Sequence, residues 1–242
     1  MVKTSQSESF QIFKPDLSVY YYVNAYRLGK DSIACIFRDI TDQNFAEHQL
    51  SRNLQQLELI TEIALIVNSQ EQYGLAVLKA LQKMGVHFQC THALFYQIIE
   101  KQDFAQLQFD WCATGFDVSQ GVNKEIAFED IPSWKKLLMR NRMIVAADVK
   151  TLPPDLAVYL SALGVISIVV LPVFLKNNFY GFLVLQHIKG QHSYDSSEIN
   201  IIRTLSTLIS NGFERVQYEQ SLRSSKVKAE EADRLKSAFL AN

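Results

Sequence analysis

The chain has 242 residues, 48% of them hydrophobic, enough to build one large packed core or two small ones. Its 24 basic and 25 acidic residues leave a net charge of -1, with no basic stripe carrying interleaved aromatics, which argues against a nucleic acid partner. The longest nearly uncharged apolar run, GVISIVVLPVFL at 164–175, falls short of the roughly 20 residues of a membrane-spanning helix. It is rich in β-branched residues and reads as a buried strand, so no membrane segment is expected. The N-terminus carries no apolar core of signal-peptide length, and the expected location is cytoplasmic.

In chain order, VYYYVNAY at 19–26 and SIACIFRDI at 32–40 alternate with period two around the glycine-containing turn RLGKD, and together predict a β-hairpin. From Thr41 the period becomes helical. Leu50, Leu54, Leu57, Ala64 and Val67 recur at spacings of three, four and seven on a helix of about 25 residues, whose polar faces suit a partly exposed rod or coiled coil. GLAVLKALQKMGVHF predicts a helix with Leu75, Leu78, Leu81 and Met84 on its buried face. Two strands follow, HALFYQII and FAQLQFDWCATG, about the polar turn EKQD.

SWKKLLMRNR reads as a short helix after Pro132 with Ser133 as its cap, and MIVAADV as a strand. PDLAVYLSALG is a helix that Gly164 ends, and VISIVVLPVFL with FYGFLVLQHI makes a hairpin about KNN. YDSSEINIIRTLSTLISNGFERV is an amphipathic helix capped by Asp195 or Ser196, burying Ile199, Ile202, Leu205, Leu208 and Ile209. The order α-β-β-α-β-α-β-β-α predicts a mixed sheet with helices. After Val216 the helix continues with thinner apolar content, a pattern suited to a seam between two helices. Cys35, Cys90 and Cys112 are odd in number, widely spaced and free of any C-x-x-C pattern, so they suggest neither a disulfide framework nor a zinc site and read as free, mostly buried thiols.

Three segments resemble known families. IFRDIT at 36–41, followed by AEHQL and a long helix, resembles the Asp-Ile-Thr exit of a PAS domain, which implies a PAS remnant over 1–41, reduced to its last two strands. Residues 52–216 resemble a GAF domain through their helix, two-strand start, lateral segment, paired late strands and the closing helix opened by Asp-x-x-Glu. The implied fold is α+β, a GAF-like, mostly antiparallel sheet flanked by helices, with long N- and C-terminal signalling helices. Residues 42–68 are then a linker or signalling helix overlapping the first GAF helix.

ADRLKSAFLAN at 232–242 resembles the opening of the dimerisation and phosphoacceptor domain of sensor histidine kinases, which makes 217–242 a coiled-coil helix stopping short of that domain's phosphorylated histidine. His48, His87, His92, His187 and His192 do not match the phosphoacceptor position. The resemblance therefore implies a sensing and transmitting stretch of a two-component kinase, without self-phosphorylation. A response regulator would be reached only through kinase domains not contained here. The expected assembly is a parallel homodimer along Leu50, Leu54, Leu57, Tyr218, Leu222, Ala229, Ala232 and Phe239. A self-contained binding or dimerisation module is the alternative.

In GAF domains a ligand lies between one face of the sheet and the lateral helices. The implied lining is Trp111, Ala113, Trp134, Met143, Val145, Tyr159, Leu163, Ile168 and Val170, an apolar set that suits a small-molecule pocket and equally an ordinary core. Cyclic-nucleotide GAF domains carry an Asn-Lys…Phe…Asp-Glu signature. NKEIAFED at 123–130 holds Asn123, Lys124, Phe128, Glu129 and Asp130, but compressed and with the acidic pair reversed, so it reads as a solvated loop. No cysteine follows Cys112, which excludes covalent bilin at the usual GAF cysteine, and the cofactor is otherwise undefined. His92 and His187 have no paired spacing and read as surface or hydrogen-bonded residues rather than haem or metal ligands. One GAF enzyme class reduces free methionine sulfoxide with cysteines, a less favoured reading here: a reactive thiol needs an exposed, electropositive setting and a resolving partner, whereas Cys112 lies on a strand beside Trp111 and Cys35 lies in the PAS remnant, outside the pocket.

Overall fold

A computed structural model describes residues 8–29, 32–69, 73–99, 103–117, 119–140, 142–176 and 178–240, with side chains up to 231 apart from Gln220. It divides into two compact units, Met1–Glu58 and Leu59–Asn242.

The first unit holds a three-stranded antiparallel sheet, β1 (Glu8–Lys14), β2 (Val19–Arg27) and β3 (Ile33–Asp39), in that order. The expected hairpin thus gains a third strand. ESFQIFK pairs along β2 with Phe10 opposite Val23, and Val23 opposite Phe37. Ser18, at φ 53, closes the β1–β2 turn, and Ser18 and Leu17 donate to the carbonyls of Pro15 and Lys14. Part of the RLGKD turn lies outside the described residues.

The residues that carry the PAS resemblance form a tight strand-to-helix junction. The Asp39 carboxylate accepts from both the N–H (2.9 Å) and the hydroxyl (2.6 Å) of Thr41. Thr41 Oγ1 accepts from the Tyr20 N–H (3.0 Å), and the Ile40 N–H donates to the Tyr20 carbonyl (2.9 Å). The turn ties the end of β3 to β2 and opens helix α1 (Thr41–Asn68).

The second unit is built on a six-stranded sheet of order β6-β5-β4-β9-β8-β7. Its strands are β4 (His92–Ile99), β5 (Phe104–Cys112), β6 (Glu125–Ala127), β7 (Ile144–Ala146), β8 (Ser167–Leu175) and β9 (Asn178–His187), and every pairing is antiparallel. Both faces are covered, which is why β8 and β9 read as near-continuous apolar runs. One core packs the end of α1, α2 (Tyr73–His87) and α5 (Ser196–Leu240) on the sheet through Ile63, Leu81, Met84, Phe95, Leu183 and Leu205. The other packs α3 (Pro132–Met139) and α4 (Pro154–Ala162) on the opposite face through Leu94, Trp134, Leu138, Leu156, Ile168 and Phe182.

Three expectations are corrected. Residues 125–127, expected to be a solvated loop, form strand β6, and Ile126 and Phe128 are buried. The buried face of α2 is Ala76, Val77, Ala80, Leu81 and Met84, whereas Leu75 (48% exposed) and Leu78 (37%) face outward. The small side chains let α2 lie close to the strands, a criterion that counting large apolar residues misses. Ser133 is not a cap: Ile131 holds that position, Pro132 begins α3, and the Ser133 N–H donates to Asp155. The turns EKQD and KNN lie partly outside the described residues.

Gly164, at φ +76, follows the last turn of α4 as expected. Helix α5 opens on a reciprocal box: the Glu198 N–H donates to the Asp195 carboxylate and the Asp195 N–H to the Glu198 carboxylate, both at 2.9 Å. β7 pairs only with Ile168–Val170, so the rest of β8 runs along the margin of the sheet. Pro172 sits there without an N–H, and its carbonyl accepts from the hydroxyl of Ser206 on α5 (3.5 Å).

Candidate functional site

The residues predicted to line one pocket divide between the two faces of the sheet. Trp134, Tyr159, Leu163, Ile168 and Val170 lie together on the α3/α4 side. Trp111, Met143 and Val145 pack on the α1/α2/α5 side. Ala113, half-buried beyond β5, donates its N–H to the Thr91 carbonyl. The strand registers explain the split: Val145 pairs with Val169 and Ile144 with Val170, and directly paired residues share a face. A site against the lateral helices therefore draws on the first set alone. Trp134 is its anchor, 2% exposed, with its ring 5.5 Å from that of Phe182, and its buried indole N–H meets no acceptor among the described residues.

Around that set the chain ties a loop down with hydrogen bonds that the sequence did not announce. Tyr96 Oη donates to the Asn123 carbonyl (2.7 Å), and Asn123 Nδ2 donates to Tyr159 Oη (2.8 Å). Gln186 Nε2 donates to the Gly121 carbonyl (2.9 Å), and His92 Nε2 to that of Asp117 (3.2 Å). His92 and Gln186 face each other across β4 and β9, so one rung of the central strand pair anchors the segment between β5 and β6.

The neighbouring residue, His187, works on the opposite face. Its Nε2 lies 3.0 Å from Tyr194 Oη, which lies 3.6 Å from Cys90 Sγ. His192 stacks on His187 at 4.8 Å and 10°, gives its N–H to Ser167 Oγ (3.2 Å), and places Nε2 3.7 Å from Glu198. Burial, helped by the adjacent His192, brings His187 down to about 4, and burial pushes the Cys90 thiol up to about 12. Both histidines singled out from the sequence are thus buried and hydrogen-bonded, not on the surface. The Cys112 thiol is raised by burial and by Asp110 and Asp117, while Cys35 is exposed on β3. Among the described residues no three His, Cys, Asp or Glu side chains are grouped to hold a metal ion.

Of the expected seam, Leu50, Leu54, Leu57, Tyr218 and Leu222 are exposed on their helices, as is Ala229. The side chains of Ala232 and Phe239 lie outside the described residues. No described helix is long and apolar enough to cross a membrane.

An antiparallel sheet covered by a closing helix on one face and short lateral helices on the other defines a GAF-type domain. The chain belongs to the GAF domain family, whose profile matches residues 68–214. It is 23% identical over 192 residues to the methanogenesis regulatory histidine kinase FilI of Methanothrix harundinacea (strain 6Ac), a match spanning 76% of this chain and 21% of that protein. The phycocyanobilin-bound GAF domain of a cyanobacterial phytochrome superposes with a TM-score of 0.61 at 16% identity, over 68% of this chain and 96% of that one. Free methionine-R-sulfoxide reductase from Neisseria meningitidis, in complex with its substrate, does so with a TM-score of 0.55 at 16% identity, over 68% and 91%. The GAF domain of an Acinetobacter phosphoenolpyruvate-protein phosphotransferase gives 0.55 at 12% identity, over 69% and 98%. These likenesses concern the fold.

Proposed function

We propose that this chain is the sensing and signal-transmitting part of a two-component sensor histidine kinase, working as a homodimer. The observation that carries this reading is α5, a 45-residue helix whose first turns are core and whose later turns bear an exposed stripe of Tyr218, Leu222 and Ala229. An exposed helix with such a stripe is satisfied by a second copy of itself. The histidine kinase relative supports the context. On this reading residues 1–41 derive from a PAS domain and 217–242 lead into the kinase dimerisation domain. A change in the GAF domain biases how paired helices pack, and a response regulator is served through the kinase domains downstream. The test is truncation after Val216, which leaves the GAF core intact and lowers the mass measured by light scattering from dimer towards monomer. An unchanged dimer removes the seam from α5.

A second reading concerns what is sensed. The buried indole N–H of Trp134, without an acceptor among the described residues, favours a small molecule or water that supplies one on the α3/α4 side. Because no cysteine follows Cys112, such a ligand would not be a bilin attached at the usual position. Native mass spectrometry with an absorbance scan of the purified chain tests this: added mass is expected, and a clean spectrum at the chain mass counts against a resident ligand.

A further inference from the structure

Several chain segments grip α5 at one level, just before its exposed length. The guanidinium of Arg215 reaches the carbonyls of Val67 (3.1 Å), Asn68 (3.3 Å) and Ser69 (3.4 Å) and the side-chain oxygen of Asn68 (3.0 Å). These belong to the C-terminal end of α1, where a helix leaves its carbonyls without partners of its own and carries partial negative charge. One turn earlier Gly212 faces Val67: a Cβ there would stand 2.3 Å from Val67 Cγ1 and 3.0 Å from the Tyr73 ring. Only glycine allows this approach. Tyr73, at the start of α2, donates to the Ile209 carbonyl (2.8 Å). From the β8–β9 turn, Lys176 gives its N–H to Glu214 (2.7 Å) and sets its ammonium 4.4 Å from the centre of the Tyr218 ring.

The two central contacts fix different freedoms. Gly212 against Val67 sets the separation of α1 and α5. A planar fork spread over successive carbonyls also sets the rotation and lengthwise register of α1, which a single ammonium cannot do. We propose that Arg215 is the joint through which the end of α1 and the exit of α5 move together, so that displacement of one helix reaches the other without crossing the sheet. The proposal rests on the reading of this chain as a transmitting module, and it names the contact that transmits.

The test introduces a disturbance on α1 and reads it on α5. Leu65 is exposed, and Leu65→Gly loosens the last turns of α1 by a helix penalty equivalent to roughly fivefold in local opening. Hydrogen exchange is measured on the full chain for Leu65→Gly, Arg215→Met and the double variant, with the β9 amides of Leu183 and Leu185 as the fold control. With Arg215 present, Leu65→Gly is expected to raise exchange at 64–69 and also at 212–222. With Arg215→Met, the effect of Leu65→Gly stays confined to α1. Propagation to 212–222 that persists without Arg215, or that is absent with it, overturns the proposal. If Arg215→Met loses the β9 protection, Arg215→Lys replaces it in the same comparison, since lysine keeps the charge but not the fork. The exchange pattern is internal to one chain, so its failure is distinct from failure of the dimer, which light scattering reads separately.

Discussion

Trp111 on β5 occupies the space that a side chain at position 85 on α2 would need: a Cβ at Gly85 would lie 2.0 to 2.9 Å from three atoms of the indole ring. The ring is half-buried and packs against the core beneath α2. Gly85→Ala is therefore expected to lower unfolding stability by about 1–3 kcal/mol, the range for an overpacked core. Urea midpoints measure it. Adding Trp111→Phe should make the second substitution less costly than it is alone, and strict additivity would show that the two sites do not meet.

Acid should weaken the domain well before its carboxylates protonate. His187, His92 and His87 are all held below the ordinary imidazole range chiefly by burial, His187 at about 4. The folded chain then stays neutral at these sites while the unfolded chain takes up protons, so stability present above about pH 6.5 is lost as pH falls towards 4. His187 is buried, and its share between pH 7 and pH 5 is on the order of 1–2 kcal/mol. Urea titrations at the two pH values are expected to give the lower midpoint at pH 5, with a smaller gap in His187→Gln. Equal stability at both would contradict the buried neutral imidazole.

The three thiols should separate by reagent access. Cys35 is exposed, Cys112 is half-buried with its thiol pKa raised, and Cys90 is buried beside Tyr194 with its thiol pushed up to about 12. A neutral disulfide reagent is expected to modify Cys35 first and Cys90 only on unfolding, because thiolate and access together set the rate. Prompt modification of Cys90 in the folded chain would revive thiol chemistry for this domain.

At the other end of α1, Asp39→Ala removes the acceptor for the Thr41 N–H and hydroxyl. The first turn of α1 should then exchange its amides faster, with the second unit unaffected. Unchanged protection at 41–45 would mean that the Tyr20 contacts hold the turn alone.

The residues that made the fold legible are those buried from both sides. ISIVVLPVFL and FYGFLVLQH announced β8 and β9 because no charged residue interrupts their apolar runs, and DSSE announced the start of α5 through its reciprocal cap. β6 escaped because EIA is only three residues long, and β1 because ESFQIFK is exposed along its whole length and has no buried face to mark it. The candidate site was harder. In a sheet covered on both faces, alternation separates two sets of residues but does not tell which faces the lateral helices; the pairing of Val145 with Val169 decides that, and pairing is a property of the folded chain. Arg215 gave no signal, since its acceptors lie 146 to 148 residues away and all but the Asn68 side-chain oxygen are backbone carbonyls that any sequence would supply.

The margin of β8 has a bearing on solubility. A free strand edge is a template on which another chain can extend the sheet, and the stretch beyond β7 is apolar enough to invite it. Pro172 brings no donor to that margin, and Ser206 already engages its carbonyl. An incoming strand would break its ladder there. Concentrating the folded protein should therefore not seed sheet-to-sheet aggregation from this side.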